Sequence, residues 1–260
     1  YKESEAFTTK IKTVDFSKAV KDLNHNPLVD PEEGIKKTVE WMKSVYRFWW
    51  KNKMNKKKYR INLINDYLKK LNLDEKISEY YKGKTILVTG GGGAIGSNLV
   101  IALSKLIGSN GKIIVLDNFS AIKGNDPLDI PEMSNMLLVK GDIRSDIDLK
   151  RVFREKPTII FHLAAFFANQ NSVDYPEKSA SVDINGIIKL LDLSQFTNID
   201  RFIYASSGCS IYGSYGKLPL KEDFISMHLT TPYQINKMAG EMYNNYYFHN
   251  YGTPIINCRF

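Results

Sequence analysis

The sequence predicts an α/β fold: a doubly wound parallel sheet with helices on both faces, preceded by a small helical segment. Two observations lead there. From residue 84 onward, short β-branched runs alternate with longer amphipathic stretches, the pattern of strands joined by crossover helices. The strand runs are also almost continuously apolar, as expected when both faces of a sheet are buried. Right-handed crossovers then wind such a series onto the two sides of one sheet.

Strands are expected at Lys84–Thr89, Lys112–Asp117, Leu137–Lys140, Thr158–Leu163, Arg201–Ser206 and Pro254–Cys258, with helices over 95–107, 146–154, 177–196 and 231–250. Residues 1–82 read differently. Asp30-Pro31-Glu32-Glu33 offers an N-cap, a proline at the first helical position and acidic residues in the first turn. Ile35, Val39, Met42, Tyr46 and Trp49 follow on one stripe, which makes an amphipathic helix. Ser17–Leu23 reads as a short helix stopped by Asn24, Asn26 and Pro27, and Ile61–Leu71 as a further helical stretch. The expected domains are a helical segment over 1–50, a basic helical linker over 51–82 and a nucleotide-binding domain over 83–260.

Composition limits the function classes. With 260 residues, 43% hydrophobic and 25% charged, the chain can bury a full core. No apolar run approaches the roughly 20 residues needed to span a bilayer, and Tyr1-Lys2-Glu3-Ser4-Glu5 lacks the apolar core of a secretory signal, so a cytoplasmic protein is expected. Cys209 and Cys258 have neither metal-ligand nor disulfide-framework spacing, and Cys209 reads as a small packing residue. His25 and His162 lack companion ligands, so no metal site is expected. Much of the +8 net charge sits in Lys51–Arg60, which reads as a solvated linker and not a nucleic-acid surface.

The cofactor signal comes directly after the first strand. Thr85-Ile86-Leu87-Val88-Thr89 runs into Gly90-Gly91-Gly92-Gly93-Ala94-Ile95-Gly96 and then into helical sequence. In that context Gly90 permits a tight turn, Gly93 lets backbone approach a pyrophosphate, and Gly96 lets helix and strand pack closely. The first helical turn at Ala94 and Ile95 presents amides to the phosphates. Asp117, beside Asn118 at the end of the second strand, can accept from the adenosine ribose hydroxyls and repel a 2′-phosphate, favouring NAD over NADP. It can equally cap the following turn.

The Gly90, Gly93, Gly96 spacing resembles that of the short-chain dehydrogenase/reductase superfamily, and later segments resemble its extended branch, the NAD-dependent nucleotide-sugar epimerases and dehydratases. That resemblance implies a Rossmann-type sheet and carries roles with it. Asp142 and Ile143, in Gly141-Asp142-Ile143-Arg144, resemble the adenine-contacting segment; Leu163, Ala164 and Ala165, after Phe161-His162, resemble the run that lies along the cofactor. Asn185, in Val182-Asp183-Ile184-Asn185-Gly186, resembles the asparagine that buttresses the site through the helix backbone.

Tyr233 and Lys237 stand four residues apart at the start of an expected helix, so both can face one side. A nearby ammonium lowers a tyrosine pKa, which suits Tyr233 to take a proton from a substrate hydroxyl. The resemblance adds that Lys237 holds the nicotinamide ribose. It also implies a Ser or Thr after the fifth strand: Ser207 is chosen, with Ser206 and Ser210 as alternatives, because counting back from Tyr212-Gly213 places the same slot on Gly208. Dehydratases of this branch carry an Asp-Glu pair directly after that hydroxyl residue, whereas Ser207 is followed by Gly208 and Cys209. The resemblance therefore favours a 4-epimerase, with a nucleotide-diphosphate sugar as substrate and a homodimer through the Tyr233 helix. Residues 13–46 resemble the C-terminal end of such a protein and 83–260 its front half, an inverted order expected of a piece of a tandem protein in which most of the substrate domain is missing. Activity of this piece alone is not expected to follow from its cofactor half.

Overall fold

The computed structural model describes residues 31–51, 56–70, 75–121, 133–166, 169–213 and 219–260. The expected helix at Ser17–Leu23 and the Asp30 cap lie outside them. In chain order the elements are α1 (Pro31–Lys51), α2 (Lys56–Lys70), α3 (Glu75–Tyr81), β1 (Thr85–Thr89), α4 (Ala94–Leu106), β2 (Lys112–Asp117), β3 (Met136–Lys140), α5 (Asp146–Phe153), β4 (Ile159–His162), α6 (Asn169–Asp174), α7 (Pro176–Ala180), a π-helical turn (Ser181–Asn185), α8 (Gly186–Ser194), β5 (Arg201–Ser206), α9 (Gly208–Ile211), α10 (Pro232–Tyr251) and β6 (Ile255–Arg259).

The strands form one parallel sheet in the order β3-β2-β1-β4-β5-β6. The winding direction reverses between β1 and β4. That switch point opens a crevice at the carboxyl ends of both strands, the place where ligands bind in doubly wound sheets.

Alternation along each strand splits the core into two layers. Leu87, Ile114, Leu116, Ile160, Phe202 and Tyr204 pack with Leu190, Leu191 and Tyr247 from α8 and α10. Ile86, Val88, Ile113, Val115 and Ile159 pack with Val100, Leu103 and Ile107 from and just after α4. Each fully buried aliphatic side chain contributes about 1.5–3 kcal/mol. This is why the strands read as unbroken apolar runs.

Helix ends follow local chemistry. Ser145 caps α5 by accepting from the Asp148 N–H, and Thr231 with Gln234 forms a capping box on α10, which carries Pro232 in its first turn and ends at left-handed Gly252. The single helix expected over 177–196 is instead α7, the π turn and α8. One extra residue in that turn rotates α8 by about a quarter turn or more relative to α7. It also seats Gly186 against Ile143, where a β-carbon would lie 2.4 Å from the Ile143 Cδ1.

The leading helices behave otherwise. α2 and α3 pack on α4, and Tyr81 joins the second core layer. Along α1, Ile35, Val39 and Met42 share the expected stripe and all three are exposed. No helix among the described residues is long and apolar enough to cross a membrane.

Candidate active site

The glycine loop folds for reasons its own atoms make plain. Gly90 has φ +71°, and a β-carbon there would lie 2.6 Å from the Ala164 N at the end of β4. At Gly96 a β-carbon would lie 2.2 Å from the Gly90 carbonyl oxygen, so α4 can approach the strand only if that position is bare. Gly93 is different: a β-carbon would meet only the Gly90 O, at 3.3 Å, and its other side is open. Packing therefore demands Gly90 and Gly96, while the open face at Gly93 fits close approach by a ligand.

Gly93 is also the N-cap of α4 and brings no side chain to cap it. The first amides of a helix have no intrahelical partner, so those of Ala94 and Ile95 are directed at the crevice with the positive end of the helix dipole behind them. A diphosphate fits this donor set. Asp117 stands at the far lip of the loop, accepting from the Gly92 N–H at 2.8 Å and from the Phe119 N–H at 2.7 Å. Both readings of Asp117 are compatible with this geometry: it ties the loop to β2, and its charge opposes a 2′-phosphate.

Other expected contact residues divide by their side chains. Asn118 donates to Asp142 at 3.0 Å, bridging the tips of β2 and β3. Asp142 is held by the Arg144 guanidinium at 2.9 and 2.7 Å, and these bonds keep its carboxyl well below the usual carboxylate range. Ile143 is core, leaving only its backbone for a ligand. Leu163 and Ala164 lie against Gly90, with Ala165 next along the chain at the β4 end of the crevice.

Asn185 is a correction. Its side chain is exposed, at the end of the π turn. The same turn carries Asp183 inward, where it accepts from the Phe166 N–H at 2.7 Å and the Ser179 hydroxyl at 3.0 Å. Burial raises the Asp183 pKa, and the Phe166 N–H and the charge of Lys237 oppose that rise. The signal for Asp183 was present in the sequence as an acid, four residues after Ser179, inside an apolar helical run.

Tyr233 and Lys237 sit in the first two turns of α10, anchored by the Tyr233 N–H donating to Ser172 Oγ at 3.0 Å. Gly240 lets this helix lie directly on Tyr204, where any β-carbon would collide with the phenol oxygen at 2.3 Å. That approach carries the buried Lys237 over the end of β5. Its Nζ donates to the Ala205 carbonyl at 2.7 Å and lies 4.9 Å from the Tyr204 ring centroid and 5.7 Å from that of Tyr233. Burial lowers the Lys237 pKa to about 8, and the Asp183 charge opposes the shift.

The expected lowering of the Tyr233 pKa does not arise from the protein's own groups. Burial, then electrostatic repulsion from Asp183 and Cys209, pushes the phenol up from its ordinary value.

The three serines separate cleanly. Ser206 Oγ is committed to Glu241 at 2.5 Å, and Glu241 is in turn clasped by Arg259 at 2.9 and 2.7 Å. Ser210 is buried within α9. Ser207, at the N-terminus of α9 without a capping bond of its own, places its Oγ 3.3 Å from Cys209 Sγ, and Cys209 acts electrostatically on Tyr233. Cys209 is thus a neighbour of the pair as well as a packing residue. His162 is fully buried, shares a 2.7 Å hydrogen bond with Thr89 Oγ1 and stacks on Tyr204; burial lowers its pKa to about 3, which makes it a neutral core histidine. No cluster of His, Cys, Asp and Glu among the described residues is arranged to hold a metal.

A doubly wound sheet with a tight glycine loop at its switch point, and a buried lysine beside a tyrosine on one helix, defines a dinucleotide-binding class of α/β protein. The chain belongs to the NAD dependent epimerase/dehydratase family, whose model matches residues 86–260. It is 35% identical over 162 residues to a UDP-glucose 4-epimerase of Mycolicibacterium smegmatis, covering 62% of this chain and 50% of that protein. Among solved structures, an epimerase from Methanothermobacter thermautotrophicus is 48% identical, with a TM-score of 0.66 over 71% of this chain and 53% of its own. The UDP-glucose 4-epimerase of Thermotoga maritima, solved with UDP-glucose, is 35% identical with a TM-score of 0.60, over 67% and 54% of the two chains. The chain therefore spans about half the length of the relatives it matches. The glycine loop, Asp117 and the Lys237 region fit the family's NAD.

Proposed function

We propose that the chain is the cofactor half of an NAD-dependent nucleotide-sugar 4-epimerase, acting on a sugar nucleoside diphosphate. What supports this reading is that Lys237 Nζ sits on the Ala205 carbonyl at the end of β5, 5.7 Å from the Tyr233 ring, with Ser207 and Cys209 directly following that strand. Bound NAD supplies a reversible hydride acceptor and, when oxidised, a positive charge that favours the phenolate.

Tyr233 takes the proton of the C4 hydroxyl and returns it when the sugar has presented its other face. The Ser207 hydroxyl holds the same oxygen. Lys237 stabilises the phenolate charge and donates to the nicotinamide ribose. Gly208 and Cys209, directly after Ser207, offer no acid to expel a neighbouring hydroxyl, which supports epimerisation over dehydration. The relatives described as UDP-glucose 4-epimerases support the same reaction and a uridine nucleotide.

A second copy of the chain is proposed to cover the outer face of α10, where Ile235, Met242, Tyr243 and Tyr246 form an exposed stripe. A domain boundary near 82 is supported by the start of β1 at Thr85 and of the family match at residue 86.

In the whole protein, Tyr233→Phe is expected to lower interconversion of UDP-glucose and UDP-galactose by about 10²–10⁴-fold while NAD still binds. Turnover within tenfold of the parent would overturn the role of Tyr233. NAD binding with no conversion by the parent protein would replace the enzyme reading with a non-catalytic dinucleotide module.

A further inference from the structure

The segment before the sheet reaches into the cofactor loop. Arg60, on α2 and outside the residues matched by the family model, donates from Nε to Asn98 Oδ1 at 2.7 Å and from its terminal nitrogen to Ser97 Oγ. Those two side chains each hold a carbonyl of the phosphate-facing turn. Ser97 Oγ donates to the Gly93 carbonyl at 2.6 Å, and Asn98 Nδ2 to the Ala94 carbonyl at 2.9 Å.

A peptide unit is planar and trans, so fixing a carbonyl fixes the N–H on the other side of the same bond. Holding the Gly93 and Ala94 carbonyls sets the directions of the Ala94 and Ile95 amides, the donors assigned above to the diphosphate. The rigid guanidinium fork spans both chains at once, and a polarised donor strengthens the hydrogen bond beyond it. It also adds a positive charge beside a helix N-terminus, which is unfavourable for the helix alone and favourable when an anion sits there.

We infer that Arg60 is a positioning residue of the cofactor site, so that docking of α2 on α4 and binding of the dinucleotide's diphosphate support each other. This inference rests on the assignment of the glycine loop to NAD. Linkage requires the coupling to run both ways.

Titration calorimetry of this chain with NAD, at low and at high salt, tests it. Arg60→Ala is expected to weaken NAD binding by about 3- to 10-fold at low salt, and Arg60→Lys by less, since it keeps the charge and loses the fork. The difference between Arg60→Ala and Arg60→Lys should shrink at high salt, where the charge is screened. Lys69→Ala, in the last turn of the same helix, should bind as the parent does. A second measurement needs no variant: amide exchange across Lys56–Lys70 in the unaltered chain should slow when NAD is added. Affinities for NAD within twofold of the parent in a folded Arg60→Ala, or exchange across α2 unchanged by NAD, would overturn the inference while leaving the cofactor assignment intact. Failure of the parent chain to bind NAD would overturn both.

Discussion

The sheet and the helix that leads the chain carry equally clear apolar patterns and meet different fates. In β1 and β2 the patterned residues are fully buried; in α1 Ile35 is 66% exposed. Periodicity states which way side chains point, and a second surface decides whether they leave water. The central strands are covered on both faces, by α8 and α10 on one side and by α4 on the other. Among the described residues, α1 has no comparable layer against its stripe.

The sharpest way to break this contrast is to delete apolar atoms on each side of it. Leu87→Ala removes a fully buried side chain between β2, β4 and α8, and is expected to lower unfolding stability by about 2–5 kcal/mol, read from denaturant midpoints. A loss below about 1 kcal/mol would mean that the sheet packs far more loosely than its burial indicates.

The same difference governs what was legible in the sequence. The strands and the glycine turn between β1 and α4 follow from patterns that are local along the chain, and they stand close to where those patterns place them. Asn185 is exposed because it sits in a π turn, a one-residue register change that the apolar pattern of the run does not announce. Asp183 was visible as an acid within an apolar run, while its inward position belongs to the same turn. The choice among Ser206, Ser207 and Ser210 also depended on tertiary partners, since it is Glu241 and Arg259 that occupy Ser206. The basic stretch ending at Arg60 read as solvated, whereas Arg60 itself is bound to the α4 turn. Sequence spacing could not show this, because its partners lie nearly forty positions away.

Buried charge gives the next test within the sheet region. Lys237 has its pKa lowered to about 8, against an ordinary value near 10.5, because burial disfavours the ammonium. Between those values the unfolded chain binds more protons than the folded one, so this group makes stability rise with pH across that window. Below about pH 8 both states are protonated and the cost of burying the charge is constant. The stability of the parent relative to Lys237→Met should therefore increase by about 1–3 kcal/mol from pH 7.5 to 10.5, measured by denaturant unfolding at each pH. A flat difference would show that Lys237 keeps its ordinary pKa.

The glycines separate packing from binding. Gly96→Ala forces a β-carbon into the Gly90 carbonyl and is expected to cost about 1–3 kcal/mol of stability along with NAD binding. Gly93→Ala meets only one contact, at 3.3 Å, and should unfold within about 1 kcal/mol of the parent while losing NAD affinity, because its methyl group enters the space left for the pyrophosphate. Equal losses of stability in the two variants would remove the distinction between them.

The smallest effect belongs to α1 and bears most directly on the opening contrast. Ile35 loses little contact with water on folding, so shortening it removes little transfer free energy, and alanine has the higher helix propensity. Ile35→Ala is expected to leave thermal unfolding within about 0.5 kcal/mol of the parent. A loss of about 2 kcal/mol or more would require the stripe to be buried in solution against a surface beyond the described residues, since only removal from water makes a branched aliphatic chain worth that much. Dilution then separates the sources: a loss that weakens as protein concentration falls indicates a second copy covering the stripe, and a concentration-independent one indicates a segment of the same chain.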